Sequence, residues 1–239
     1  MRRLIPLVAL LVLLAPVARA QDYAAILAAP DRSEADKTTD GKRHTDKMLP
    51  FLGVKPGMKV LDVSVGGGYT TELLARVVGP SGKVYAQDAA DANERARNAF
   101  AERMKTPAMA NVVQFASAYD DPIPPGQKDF DIITLFYNYH DISFMPVDRA
   151  AMDKKMFDAL KTGGILLIAD HSAAAGTGTT VAKTLHRIDE ATVKQEIEAA
   201  GFKLAATADY LRNPEDKRDV LIFRSPVPVD AFVHKYVKP

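Results

Sequence analysis

Two almost purely apolar runs, Asp131 to Tyr137 (DIITLFY) and Gly164 to Ala169 (GILLIA), constrain this chain more than any other feature. A strand apolar on both faces has to lie in the middle of a parallel sheet covered by helices on either side. The segment between them fits such a crossover: Asp148 to Leu160 carries Met152, Met156 and Leu160 at helical spacing and ends at Gly163-Gly164. The same alternation runs through the preceding residues. Strands are expected at Lys59–Val63, Lys83–Gln87 and Val112–Ala116. Helices are expected at Thr71–Val78, stopped by Gly79-Pro80, and at Asp91–Met104. Near the end, Asp189 is a good N-cap for a helix over Glu190–Ala200. Phe202–Tyr210 and Val220–Arg224 then read as an antiparallel couple across the loop at 212–216. The expected fold is a doubly wound α/β domain: a mostly parallel seven-stranded sheet, helices on both faces, and a C-terminal antiparallel strand pair.

The other end of the chain has a different grammar. Arg2 and Arg3 precede an apolar stretch from Leu4 to Val17, followed by Ala18-Arg19-Ala20. This is the form of a secretory signal cleaved after Ala20, and the apolar stretch is short against the roughly 20 residues that span a bilayer. The expectation is an exported protein, periplasmic or secreted, with no stable membrane insertion after cleavage. The polar, helix-compatible residues 21–53 read as an N-terminal arm, and 54–239 as the α/β domain. Removing Arg2, Arg3 and Arg19 from 31 basic residues leaves 28 against 30 acidic ones, a formal charge of −2. A weakly acidic chain without Lys/Arg clusters is a poor nucleic-acid binder. It contains no cysteine, which excludes disulfides, thiolate metal sites and a cysteine nucleophile.

In such a sheet, ligands bind beyond the carboxyl ends of the strands. The first strand runs into Ser64-Val65-Gly66-Gly67-Gly68-Tyr69. Its glycines let backbone approach a ligand, and the following helix offers unpaired N–H groups. Twenty residues past Gly68, Asp88 ends the second strand, where a carboxylate can accept hydrogen bonds from both hydroxyls of a ribose. Thr71 stands where a dinucleotide fingerprint would need glycine, and no Gly-Lys-Ser/Thr P-loop occurs, so the pattern points to a nucleoside-type ligand.

Here the chain resembles the class I S-adenosylmethionine-dependent methyltransferases, which share a Rossmann-like fold. Asp62, Gly66 and Gly68 match their acidic-x-Gly-x-Gly-x-Gly motif, with Ser64 at the first glycine. Asp88 matches the ribose-binding acid. Ser117, followed by Ala118, stands where the family carries an adenine-side Asp. The resemblance runs from about Val54 to Arg224. More narrowly, Tyr137-Asn138-Tyr139-His140-Asp141, Ala169-Asp170-His171 and Leu185-His186-Arg187-Ile188-Asp189-Glu190 resemble an exported, uncharacterised bacterial subgroup. It implies S-adenosyl-L-methionine as cofactor, bound through Asp62, Ser64, Gly66, Gly67, Gly68, Asp88, Ser117 and Ala118, and a small-molecule acceptor.

Methyl transfer asks the protein to position donor and acceptor and, for a hydroxyl or amine, to remove a proton. His140 and Asp141 after the fourth strand, and Asp170 and His171 after the fifth, are the candidates. His140 is read as general base, with Asp141 and His171 as its catalytic companions. Tyr69, Tyr137 and Tyr139 are candidate walls for the methyl group. His186-Arg187 is a candidate for binding a carboxylate, and His234 reads as part of a tail. Two other readings stay open. A non-catalytic module could retain only the nucleoside pocket, or the His/Asp cluster could hold a metal.

Overall fold

The computed structural model describes residues 21–239; the leader read over residues 1–20 lies outside them. Three short helices come first: α1 (Tyr23–Leu27), α2 (Glu34–Arg43) and α3 (Thr45–Leu52). Then follow β1 (Lys59–Val63), α4 (Tyr69–Val78), β2 (Lys83–Asp88), α5 (Glu94–Arg103), β3 (Val112–Ala116), β4 (Phe130–Phe136), α6 (Tyr139–Ile142) and α7 (Arg149–Ala159). The chain ends with β5 (Leu160–His171), α8 (Ala182–Leu185), α9 (Glu190–Ala199), β6 (Lys203–Ala208) and β7 (Ala231–Val237).

The strands form one sheet in the order β3-β2-β1-β4-β5-β7-β6. Strands β1 to β5 pair in parallel, and β7 is antiparallel to both neighbours. This is the expected doubly wound architecture. The apolar runs explain it physically. Ile133 and Leu135 of β4, with Leu166 and Ile168 of β5, enter the core on one face of the sheet. Their alternates Ile132, Leu167 and Ala169 enter the core on the other. Side chains alternate along a strand, so a run with no polar partner face must be covered twice.

The N-terminal helices are built into the domain. Leu49 and Leu52 are fully buried in the same core as Leu73 and Val77 of α4. Arg103 of α5 bonds Asp36 of α2 (2.8 and 3.0 Å), Glu72 of α4 and the Gly67 carbonyl (3.0 Å). Asp40 takes both Arg32 (2.5 and 2.8 Å) and the Tyr69 hydroxyl (2.6 Å).

The C-terminal pairing differs from expectation. The partner of β6 is β7, while residues 222–224 form a single 3₁₀ turn with Phe223 77% exposed. Pro226 and Pro228 follow that turn, and proline has no N–H for a ladder. The segment read as a tail instead sits between β5 and β6 with Phe232, Val233, His234 and Tyr236 buried.

Candidate active site

Strand order reverses between β1 and β4, so their connections leave in opposite directions and a crevice opens at their carboxyl ends. Six non-glycine residues have positive φ among the described residues, and four of them surround this crevice: His44 (47°), Ser64 (59°), Tyr137 (56°) and His186 (52°). Such backbone costs on the order of 1–3 kcal/mol per residue and persists where the surroundings enforce it. Ser64 thus holds a backbone conformation that favours glycine.

The turn after β1 divides into supporting and exposed parts. Both carboxylate oxygens of Asp62 accept hydroxyl hydrogen bonds, from Thr71 and Thr134, each at 2.7 Å. Burial lifts its pKa to about 6. The Asp62 side chain braces the turn against α4 and β4 and also borders the crevice. Gly68 also serves packing: a Cβ there would lie 2.6 Å from the Phe100 ring. Gly66 and Gly67 line open space. At Gly66 an added Cβ would meet nothing within 4 Å.

Two cavities lie along this turn. The first, about 300 Å³, is lined by Arg43, Gly66, Gly67, Tyr69 and Asn138. The second, about 510 Å³, is lined by Asp88, Ala92, Ala118, Tyr119, Asp141 and Met145. They share Ser64, Gly66 and Asn138. The Asn138 amide donates to the Ser64 hydroxyl, which also lies 3.2 Å from the Tyr119 hydroxyl, so a polar bridge crosses the crevice between the cavities. Asp88 accepts from the Ala89 N–H (2.9 Å) and the Tyr119 hydroxyl (3.3 Å), and its burial raises its pKa. Ser117 lines neither cavity, and its hydroxyl is buried without a partner. Its peptide N–H instead ties the loop to the Asp88 carbonyl (3.1 Å), and Tyr119 takes the cavity position expected for it.

A third cavity, about 610 Å³, is lined by Arg43, His44, Tyr137, His171, Leu211 and Val229. Tyr137 and Arg43 also border the first cavity. The Arg43 guanidinium lies over the rings of Tyr137 (4.7 Å) and Tyr69 (5.1 Å). His171 stacks on Tyr137 with ring centroids 4.9 Å apart, and its Nδ1 is buried without a partner. Burial pushes its pKa down to about 4, so the ring is neutral at physiological pH.

His140 is held otherwise. Its Nδ1 lies 2.7 Å from Asp170 Oδ1 and its backbone N–H donates to Asp170 Oδ2 (2.8 Å). Its Nε2 faces His186 Nδ1 (3.3 Å) and Asp141 Oδ1 (3.2 Å). Burial opposes a charge there, but the two carboxylates outweigh it and raise the pKa to about 9. Its Nδ1 is engaged by Asp170, its Nε2 faces His186 and Asp141, and the residue borders none of the three cavities. That geometry does not suit the general-base role read for His140. His186 reaches the cluster because Ser172 and Ile188 bridge, with Ile188 N–H bonded to the His171 carbonyl (2.9 Å). Arg187 points away, into a buried ion pair with Asp216 (2.8 Å), so its guanidinium is not free to bind a ligand carboxylate. Tyr139 also turns inward, to Asp153 (2.9 Å) and Glu196 (2.7 Å).

Three lining residues escaped the sequence reading. Arg43 lies in a polar stretch with no motif. Asn138 sits within the Tyr137–Asp141 motif with no role of its own assigned. Tyr119 adjoins the position given to Ser117. Only Asn138 carried a signal, its place directly after the fourth strand.

Residues 41–187 match the ubiE/COQ5 methyltransferase family. A ubiquinone/menaquinone biosynthesis C-methyltransferase UbiE from Shewanella sp. (strain W3-18-1) is 31% identical over 131 residues, 55% of this chain and 48% of that protein. Its counterpart from Ectopseudomonas mendocina (strain ymp) is 31% identical over 124 residues, 52% and 46%. The chain thus spans about half the length of the curated relatives it matches. Among solved structures, a SAM-dependent methyltransferase from Aquifex aeolicus is similar with a TM-score of 0.59 and 23% identity, over 81% of this chain and 89% of that one. The [4+2]-cyclase SpnF is similar with a TM-score of 0.63 and 16% identity, over 83% and 81%. These likenesses speak to the fold, which hosts more than one chemistry.

Proposed function

The chain belongs to the ubiE/COQ5 methyltransferase family, and from that premise we propose that it binds S-adenosylmethionine across the first two cavities and methylates a small molecule held in the third. One observation carries the reading. The Gly66-Gly67 turn has a carboxylate, Asp88, on one side and a cation, Arg43, on the other, each lining a cavity that Gly66 joins. Asp88 suits ribose hydroxyls; Arg43 suits the carboxylate of a methionyl group. The sulfonium supplies an activated methyl, displaced in line by the acceptor.

The protein's part is positional. Tyr137, fixed at positive φ between the first and third cavities, separates donor from acceptor. The third cavity offers Leu211, Pro228 and Val229 as apolar walls with Arg43 and His44 beside them. That combination suits an apolar acceptor with an ionisable hydroxyl. The His171 ring, neutral at physiological pH, borders the same cavity beside Tyr137. We also propose that the protein is exported, residues 1–20 being removed, so that intact mass should begin at Gln21.

Calorimetry with S-adenosylmethionine tests the reading. Binding should weaken at least tenfold in Asp88→Ala, about 1.4 kcal/mol. A folded protein giving no heat at millimolar ligand overturns it. The bridge from Asn138 through Ser64 to Tyr119 favours a second reading, a pocket that holds a nucleoside without transferring methyl. In that case ligand binds, but labelled methyl never reaches an acceptor.

A further inference from the structure

We propose that His140, Asp141 and His186 form a binding site for a divalent first-row transition metal ion of zinc type. Three donor atoms converge there: His140 Nε2 to His186 Nδ1 is 3.3 Å, His140 Nε2 to Asp141 Oδ1 3.2 Å, and His186 Nδ1 to Asp141 Oδ1 2.9 Å. Nitrogen and oxygen ligands about 2.0–2.1 Å from a tetrahedral zinc stand about 3.3 Å from one another, which is the scale of this triangle. Asp141 Oδ1 is buried, yet it makes no aligned hydrogen bond to either imidazole despite its closeness.

The surroundings match the requirements of a metal ligand. Asp170, fully buried, takes the Nδ1 side of His140 and the backbone N–H of both His140 and His171. A carboxylate on the far nitrogen is what orients a metal-bound histidine and strengthens it as a donor. His186 is set at φ 52° after α8, and its ring packs edge-on or tilted against Phe144 (6.4 Å) and Phe223 (5.4 Å). The partial exposure of His186 and Asp141 leaves an ion a way in. Two nitrogens and one oxygen select a borderline transition ion over magnesium or calcium, and three protein ligands leave a coordination position open. Asp141 also lines the second cavity, so that position lies at its edge. The site shares the edge of the second cavity through Asp141, but the cofactor contacts proposed above are those of Asp88, Arg43 and the glycine turn.

The test uses zinc chloride alone, titrated into the chelator-treated full chain by calorimetry, with magnesium chloride as control. One equivalent of zinc should bind and magnesium should not compete. His186→Ala should weaken zinc at least a hundredfold, and Asp170→Asn about 10- to 100-fold. Circular dichroism should show both variants folded; where Asp170→Asn unfolds, the half-buried His186→Ala and Asp141→Ala carry the test. Asp88→Ala should keep its equivalent of zinc, which separates this site from cofactor binding. Absence of a one-equivalent site, or zinc affinity unchanged in His186→Ala and Asp141→Ala, overturns the proposal.

Discussion

The protein buries two histidines beside carboxylates, and it treats them differently. His234, on β7, gives one ring nitrogen to the Tyr236 hydroxyl (2.8 Å) and the other to Glu190 (2.7 Å). Around it, Arg212 reaches Glu190 and Asp230, and Arg187 pairs with Asp216. Every charged group there is engaged by an opposite charge or a hydrogen-bond partner, Asp230 taking both Arg212 and Arg218. His140, in α6 just beyond β4, has a buried carboxylate on Nδ1, while its Nε2 shares one small space with two other ligand-type atoms. Buried polar groups are normally satisfied one against one. Where pairing is complete, the side chains serve the fold. Where several atoms crowd toward one point beside a cavity, the fold is holding them for something else.

The hardest blow to the paired half would be Asp216→Ala. It leaves Arg187, fully buried, without its counter-ion. The expected loss is about 3–5 kcal/mol in urea unfolding. A loss below about 1 kcal/mol would mean that half does not depend on one-to-one matching.

A smaller effect is expected from Glu190. Its hydrogen bond with His234, helped by Arg212, holds its pKa down to about 2, against an ordinary 4.5. A carboxyl depressed on folding stabilises the protein above its unfolded value and loses that contribution as pH falls toward the folded one. Wild type should therefore exceed Glu190→Gln in denaturant midpoint from about pH 5 upward, the gap closing toward pH 2. A gap that persists at pH 2 would show that ionisation is not its source.

The mildest change is Ser64→Gly, on the crevice side. It removes a positive-φ side chain and the bridge to Asn138 and Tyr119. Stability should change by less than about 1 kcal/mol, because glycine's greater unfolded freedom offsets the relieved strain. Affinity for S-adenosylmethionine should rise about threefold, or about 0.7 kcal/mol. Unchanged affinity would show that the bridge does not obstruct a ligand spanning both cavities.

The sheet was legible because its signal is local: Ile132, Ile133, Leu166 and Leu167 announce strands covered on both faces whatever surrounds them. The C-terminal pair was misread for a related reason. Val220–Arg224 is short and β-branched enough to suggest a strand, but the prolines beyond it and the burial available to 231–237 decide the pairing. At the site, Gly66 and Asp88 were readable from spacing along consecutive strand ends. Ser117 was placed one or two residues from the group that faces the cavity, because a loop's side-chain directions are not fixed by register. Arg43 and the convergence of His140 with His186 come from segments far apart in the chain, joined only by tertiary packing.

The helical segment before β1 has a consequence for anyone shortening this protein. The matched region begins at residue 41, inside α2, and a fragment trimmed there would keep Arg43 and the glycine turn. It would also strip away Asp36 and Asp40, leaving Arg103 short of one counter-charge and Tyr69 without its carboxylate partner. The boundary drawn by family likeness is thus not a safe place to cut: the floor of the crevice is pinned by amino acids that lie outside it.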